Sequence, residues 1–265
     1  MVIFRNIPAL FKLYGTLPSL SKLRRQIDAA REAGKDEEER AYIREACDNW
    51  SDALIKTFGM DVHVRGKENL PKEGPVVFVS NHQGYADIIV LMNALDTIQF
   101  GFVAKDDLIK IPLFGKWILR IRSVSMHRDE TKEAVKAILE GIKYIKKGFS
   151  LLIFPEGTRS KGPEMGEFKK GAFKLATKPK VPIVPVTVHG SYRAFEDNGV
   201  FKGARVDIVI HPQVETRDLG KQDESTLVNQ VEGTIRDSLL KLQEEERARL
   251  AEENKNTGTK SLPGE

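Results

Sequence analysis

Two short stretches of this 265-residue chain hold residue types that could do chemistry together: Ser80-Asn81-His82-Gln83-Gly84-Tyr85-Ala86-Asp87 and, further on, Phe154-Pro155-Glu156-Gly157-Thr158-Arg159-Ser160. In the first, a histidine precedes an aspartate by five positions. At about 100° per residue, that spacing leaves the two side chains about 140° apart on a continuous helix. It therefore predicts His82 on a loop and Asp87 in the first turn of the helix that follows. From there the carboxylate could accept from one imidazole nitrogen, fix the tautomer and leave the other nitrogen to take a proton near neutral pH. The result would be a general base with no nucleophile beside it. His63, His127, His189 and His211 have no aspartate at this spacing. Taken alone, His82 could equally be a hydrogen-bonded histidine at a strand end.

The second stretch adds an anion cradle. Pro155 ends a strand, Gly157 lets a ligand approach the backbone, and Arg159 offers a planar fork of donors that matches a phosphate bidentately. Taken alone, it could be a polar turn with a solvated arginine. Other chemistries lack their motifs. The chain has no Gly-x-Ser-x-Gly elbow, no Walker loop and no dinucleotide fingerprint. Five scattered histidines and one cysteine offer little to zinc. A net charge of +4 with no recognisable module argues against nucleic-acid binding.

With both motifs in view, the chain resembles the lysophosphatidic acid acyltransferases, also called 1-acylglycerol-3-phosphate acyltransferases, within the wider glycerolipid acyltransferases. Asn81-His82 through Asp87 matches the family's first block, and Phe154-Pro155-Glu156-Gly157-Thr158-Arg159 matches the third. Val181-Pro182-Ile183-Val184-Pro185-Val186 resembles the fourth. Ala104-Lys105 and Ile111-Pro112-Leu113-Phe114-Gly115 are similar to the stretch ahead of the second block, which here would end at Arg128. The family often has an acidic residue just before that arginine, where this chain has His127. The likeness runs from about residue 62 to about residue 212.

The resemblance implies transfer of a fatty acyl group from an acyl thioester to the free hydroxyl of lysophosphatidate, making phosphatidate. It needs no cofactor and no metal. The acyl donor, acyl coenzyme A or acyl carrier protein, is a co-substrate. His82 would be the base and Asp87 its orienter, while Glu156, Gly157, Thr158 and Arg159, with Lys105 and Arg128, would hold the substrate's phosphate. Oxyanion donors would come from the stretch after Asp87 or from the Glu156-Gly157 turn. A relative that acylates another lyso-lipid or glycerol 3-phosphate, or an idle lipid-phosphate-binding module, is the alternative. An idle module would need Arg159 but no base.

The surrounding elements must bring these residues together. Short apolar runs at Val76 to Val79, Phe100 to Ala104, Leu151 to Phe154, Ile183 to Val188 and Val206 to Ile210 have the length of buried strands. Helical stretches at Ala86 to Leu95 and Glu133 to Lys147 alternate with them. The expectation is an α/β fold, a mixed sheet flanked by helices, with the site in strand-to-helix loops. The divisions expected are an N-terminal helical, membrane-interface segment (1–61), the acyltransferase domain (62–215), a C-terminal helix (216–253) and a disordered polar tail (254–265).

Ile43, Cys47, Trp50, Leu54 and Phe58 form one apolar stripe, preceded by a charged hinge at Gly34 to Glu39. The single cysteine, Cys47, rules out an internal disulfide, fits a reducing compartment and is expected in the core. Residues 1 to 20 carry no convincing signal peptide and too many charges to span a bilayer, so the mature chain is expected to start near Met1. Phe4, Ile7, Leu10 and Phe11, with Arg5 and Lys12 toward headgroups, instead suggest a helix lying in the interface of the cytoplasmic leaflet, the alternative being a helix packed on the core.

Overall fold

The computed structural model describes residues 7–126, 131–219 and 223–258. Phe4, Arg5, His127 and Arg128 lie outside the described residues.

The described residues begin with helices α1 (Ile7–Gly15), α2 (Ser21–Glu32) and α3 (Asp36–Phe58), the first two joined by a 3-10 turn at Leu17–Leu20. The break between α2 and α3 falls at Gly34, whose φ of 67° is open to glycine but strained for most other residues. Four acidic residues, Asp36 to Glu39, then fill the first turn of α3, where the helix dipole favours negative charge.

The expected charged hinge is thus present, but one of its charges points inward. Glu39 is fully buried and accepts from Arg31 Nη2 at 2.7 Å and from Arg122 Nη2 at 2.6 Å. Removing one member of a buried ion-pair group leaves the others desolvated and unpaired. Glu39→Ala is therefore expected to cost about 3 kcal/mol, measured as a shift in urea unfolding. A loss below about 1 kcal/mol would place these pairs with ordinary solvated surface bridges.

The sheet follows: β1 (Asp61–Arg65), β2 (Val77–Ser80), α4 (Ala86–Ala94), β3 (Phe100–Lys105), α5 (Asp106–Ile109), α6 (Phe114–Arg120), β4 (Val124–Met126), α7 (Thr131–Lys146), β5 (Ser150–Ile153), α8 (Lys174–Thr177), β6 (Ile183–His189), β7 (Arg205–Ile210) and α9 (Glu224–Gly258). In space the strands run β1-β7-β6-β2-β5-β3-β4, all neighbours being parallel except the antiparallel β6–β7 pair. This is the expected mixed sheet.

Alternation along the buried strands sends side chains to two separate cores. Phe78, Phe100, Leu152, Val184 and Val186 pack with Ile27, Ile43, Leu54 and Leu91 from α2, α3 and α4. Val77, Val79, Leu151, Ile153 and Ile183 pack with Ile142 and Ile145 of α7 and with Val231 and Ile235 of α9 on the other face.

Two features depart from the sequence expectation. Strands β1 and β4 carry no continuous apolar run; both lie at sheet edges, where polar residues such as Asp61, His63, Arg65 and Ser125 are tolerated. Helix α9 continues to Gly258, so residues 254–258 are helical rather than a disordered tail. The preceding Glu252-Glu253 are good helix formers, and extending an existing helix costs far less than nucleating one. Lys12 is exposed, with its ammonium 3.4 Å from the Thr57 carbonyl and 5.9 Å from the centre of the Phe58 ring.

Candidate active site

Strands β2, β5 and β6 are adjacent and parallel, so their C-terminal ends meet along one edge of the sheet. Both motifs leave the sheet there. Beyond Ser80 the β2–β6 ladder stops, and the Asn81 side chain continues it: Nδ2 donates to the Val188 carbonyl at 2.8 Å and Oδ1 accepts the Val188 N–H at 2.8 Å. The Gln83 side chain does the same one step further, accepting the Gly190 N–H at 2.8 Å. The His82 and Gln83 carbonyls accept the N–H groups of Ser160 at 2.8 Å and Lys161 at 3.1 Å. A loop satisfied in this way is fixed, and so is the imidazole it presents.

His82 sits on this loop and Asp87 in the first turn of α4, as the spacing requires. Nδ1 of His82 is 2.7 Å from Oδ2 of Asp87. With a carboxylate as acceptor, Nδ1 carries the hydrogen. The same Oδ2 accepts the N–H groups of Gln83 at 2.7 Å and Gly84 at 3.0 Å, while the Ser191 hydroxyl donates to Oδ1. Asp87 is fully buried, and the imidazole stacks on Phe154 with 3.9 Å between ring centroids and 13° between planes. Orientation is thus set from two sides. Nε2 of His82 has no hydrogen-bond partner among the described residues, and the ring lines a cavity of about 560 Å³.

Glu156 does something other than grip a phosphate. It is 6% exposed, and its two oxygens accept the N–H groups of His82 and of Gly166, each at 2.7 Å. Burial pushes its carboxyl up to about 7, against the pull of those two amides. A carboxylate would repel a phosphate; here it ties the third-block turn to the His82 loop.

Gly157 has φ 73°, a conformation that favours glycine, and a Cβ there would lie 2.8 Å from Nζ of Lys169, whose flexible side chain lies over the turn. The Gly157 N–H bonds to the Phe154 carbonyl at 3.0 Å, which removes it from the possible oxyanion donors. The stretch after Asp87 is likewise spent within α4. The N–H groups of Thr158 and Arg159 make no hydrogen bond among the described residues.

Arg159 lies over the Tyr85 ring, 3.6 Å from its centroid, and donates from Nη1 to Glu196 Oε1 at 2.8 Å. Glu196 also accepts the Tyr85 N–H at 3.0 Å; its side chain is 3% exposed, and its Oε2 is buried without a partner. Burial raises its pKa, and the Tyr85 amide and Arg159 oppose the rise. Nε and Nη2 of Arg159 have no hydrogen-bond partner among the described residues.

Lys105, at the end of β3, lines the same cavity but pairs with Asp107 at 2.5 Å. The structure thus brings His82, Asp87, Gly157, Thr158, Arg159 and Lys105 to one place, while Arg128 lies outside the described residues. Glu196 and Ser191 carry no signal in the sequence. Glu196 is 37 residues from Arg159, and Ser191 is 104 from Asp87, so nothing local reports them.

The cavity is two-natured. His82, Tyr85, Arg159, Lys161 and Lys169 line one part, and Leu17, Leu20, Trp50, Met92, Phe102 and Trp117 line an apolar remainder. Cys47 borders it from the core; burial pushes its thiol up to about 11, which leaves it protonated and a poor nucleophile near neutral pH.

The fold and site define a class: an α/β protein with an oriented histidine and a cationic edge above a cavity for an amphiphile. A family profile described as Acyltransferase matches residues 61–189. The 1-acyl-sn-glycerol-3-phosphate acyltransferase of Borreliella burgdorferi is 31% identical over 184 residues, 69% of this chain and 72% of that protein. The chloroplastic 1-acyl-sn-glycerol-3-phosphate acyltransferase LPAT1 of Arabidopsis thaliana is 34% identical over 168 residues, 62% of this chain and 46% of the relative. The chain therefore spans only about half the length of such plant relatives. The crystal structure of the 1-acyl-sn-glycerophosphate (LPA) acyltransferase PlsC from Thermotoga maritima superposes with a TM-score of 0.71 at 26% identity, covering 92% of this chain and 98% of that one. The chain belongs to the acyltransferase family that contains the 1-acyl-sn-glycerol-3-phosphate acyltransferases.

Proposed function

We propose that the protein transfers a fatty acyl group from an acyl thioester to the free hydroxyl of lysophosphatidate, forming phosphatidate and a free thiol. The observation that carries this reading is the His82–Asp87 pair, 2.7 Å apart, at the cationic part of a cavity whose remaining wall is apolar. Such a cavity suits an acceptor with a phosphate at one end and a hydrocarbon chain at the other.

As the hydroxyl oxygen attacks the thioester carbonyl, its proton passes to Nε2 of His82, and Asp87 stabilises the imidazolium through Nδ1. The carbon–sulfur bond then breaks, and the imidazolium returns the proton to the departing thiolate. The developing oxyanion needs preorganised donors, for which the Thr158 and Arg159 amides are open. Arg159 holds the phosphate by its free edge.

The test is to incubate the full chain with lysophosphatidate and either acyl coenzyme A or acyl carrier protein, with glycerol 3-phosphate and other lyso-lipids as rival acceptors. Phosphatidate as the main product is expected. No two-chain product with either donor would remove the reading.

The protein also works at a membrane surface in this reading, since leaving each lipid CH₂ in water costs roughly 0.8 kcal/mol. Among the described residues no helix is long and apolar enough to cross a membrane. Phe11 on α1 is 72% exposed and Leu113 59%; the two segments are joined where the Tyr14 hydroxyl donates to the Pro112 carbonyl at 3.2 Å. Leu17 and Leu20 line the cavity, so removing residues 1–20 would open it. The cleaner variant is Phe11→Asp with Leu113→Asp. It is expected to lose sedimentation with anionic vesicles while keeping the melting temperature. Unchanged sedimentation would move the attachment elsewhere; Lys105 and Lys110, each paired with an aspartate, are poor substitutes.

A further inference from the structure

The charges around the polar part of the cavity do not contribute equally. Lys105, Asp107, Arg159, Lys161 and Lys169 all line it. Lys105 is paired with Asp107, and Arg159 with the buried Glu196, so each of those cations meets a ligand already neutralised. Lys161 and Lys169 have no carboxylate within salt-bridge distance among the described residues, and they supply the net positive charge of the site.

Both are held there by the backbone. Lys161 has φ 62°, in the left-handed region that residues with side chains rarely adopt. It is kept in that conformation next to Ser160, whose N–H bonds to the His82 carbonyl, and its own N–H bonds to the Gln83 carbonyl. A strained backbone at a cavity edge, enforced from the catalytic loop, is the pattern found at ligand sites. Lys169 donates its N–H to the Pro155 carbonyl at 3.0 Å, and its side chain folds over Gly157. Its ammonium therefore lies over the turn that presents the Thr158 and Arg159 amides.

We infer that Lys161 and Lys169 are the headgroup-specificity residues of this site, together matching the two negative charges of a phosphomonoester and so favouring it over a phosphodiester or zwitterionic headgroup. A phosphomonoester carries about −1.5 to −2 charges at pH 7, a phosphodiester one. With Arg159 and Lys105 already paired, the two lysines together balance the nearly two charges of the monoester, whereas one of them suffices for a diester. This rests on the acyl-transfer reading for its substrate but not for its electrostatics.

The test uses the full chain and the variants Lys161→Met, Lys169→Met and Lys169→Arg, both positions being exposed. Acylation of lysophosphatidate is compared with that of lysophosphatidylglycerol in the same mixed micelles. Each Lys→Met change is expected to raise KM for lysophosphatidate about tenfold, from the loss of one charge-assisted contact, with kcat little changed and KM for lysophosphatidylglycerol nearly constant. Lys169→Arg should retain the preference. Equal losses on both acceptors, or no change in either, would overturn the inference. Calorimetric binding of glycerol 3-phosphate is measured alongside. Wild-type protein that binds it but acylates nothing would sink the acyl-transfer reading alone. Binding equally tight in wild type and in both Met variants would sink the specificity assignment alone.

Discussion

His82→Ala is expected to lower kcat for acyl transfer by about 10² to 10⁴, the usual contribution of a positioned general base. Its fold should survive, because the loop is held by backbone groups that alanine keeps: the residue-82 N–H to Glu156 and the carbonyl to Ser160. Asp87→Asn should be less severe in chemistry yet still large. An amide in place of the carboxylate cannot accept from Nδ1, from the Gln83 and Gly84 amides and from Ser191 all at once. Steady-state rates on folded variants check both. A His82→Ala protein within tenfold of wild type would mean that another group takes the proton.

Arg159 gives the second large effect, and it should fall on affinity. Arg159→Ala removes the fork and leaves Glu196 buried without its cation, so part of the loss will be structural. Arg159→Lys is the sharper variant. It keeps a charge near Glu196 and Tyr85 but loses the planar edge that could meet a phosphate bidentately. A rise of about 10-fold to 100-fold in KM for lysophosphatidate is expected, with KM for the acyl donor nearly constant. A normal KM in Arg159→Lys would reduce the arginine to a point charge.

The His82–Asp87 geometry is legible in the sequence because it is local: five residues across a loop-to-helix junction allow few arrangements. The buried strands are legible for the same reason, each being a short uninterrupted apolar run. What holds the site in place is not legible. Glu156 reads as part of an anion cradle when its neighbours are Gly157 and Arg159, but the fold brings the amides of His82 and Gly166 onto its oxygens. Glu196 and Ser191 acquire meaning only once β6 lies beside β2. Edge strands such as β1 hide because one-sided burial relaxes the apolar requirement that makes a central strand visible.

In the proposed mechanism His82 activates the acceptor for direct attack on the thioester, with no acyl group resting on the protein. The measurement that tests it most directly follows thiol release and phosphatidate formation in one reaction, with and without lysophosphatidate, beside the intact mass of the protein. One thiol per phosphatidate, almost no thiol release when the acceptor is omitted, and an unchanged protein mass are expected. Acceptor-independent thiol release together with an acyl-sized mass increase on the protein would contradict it.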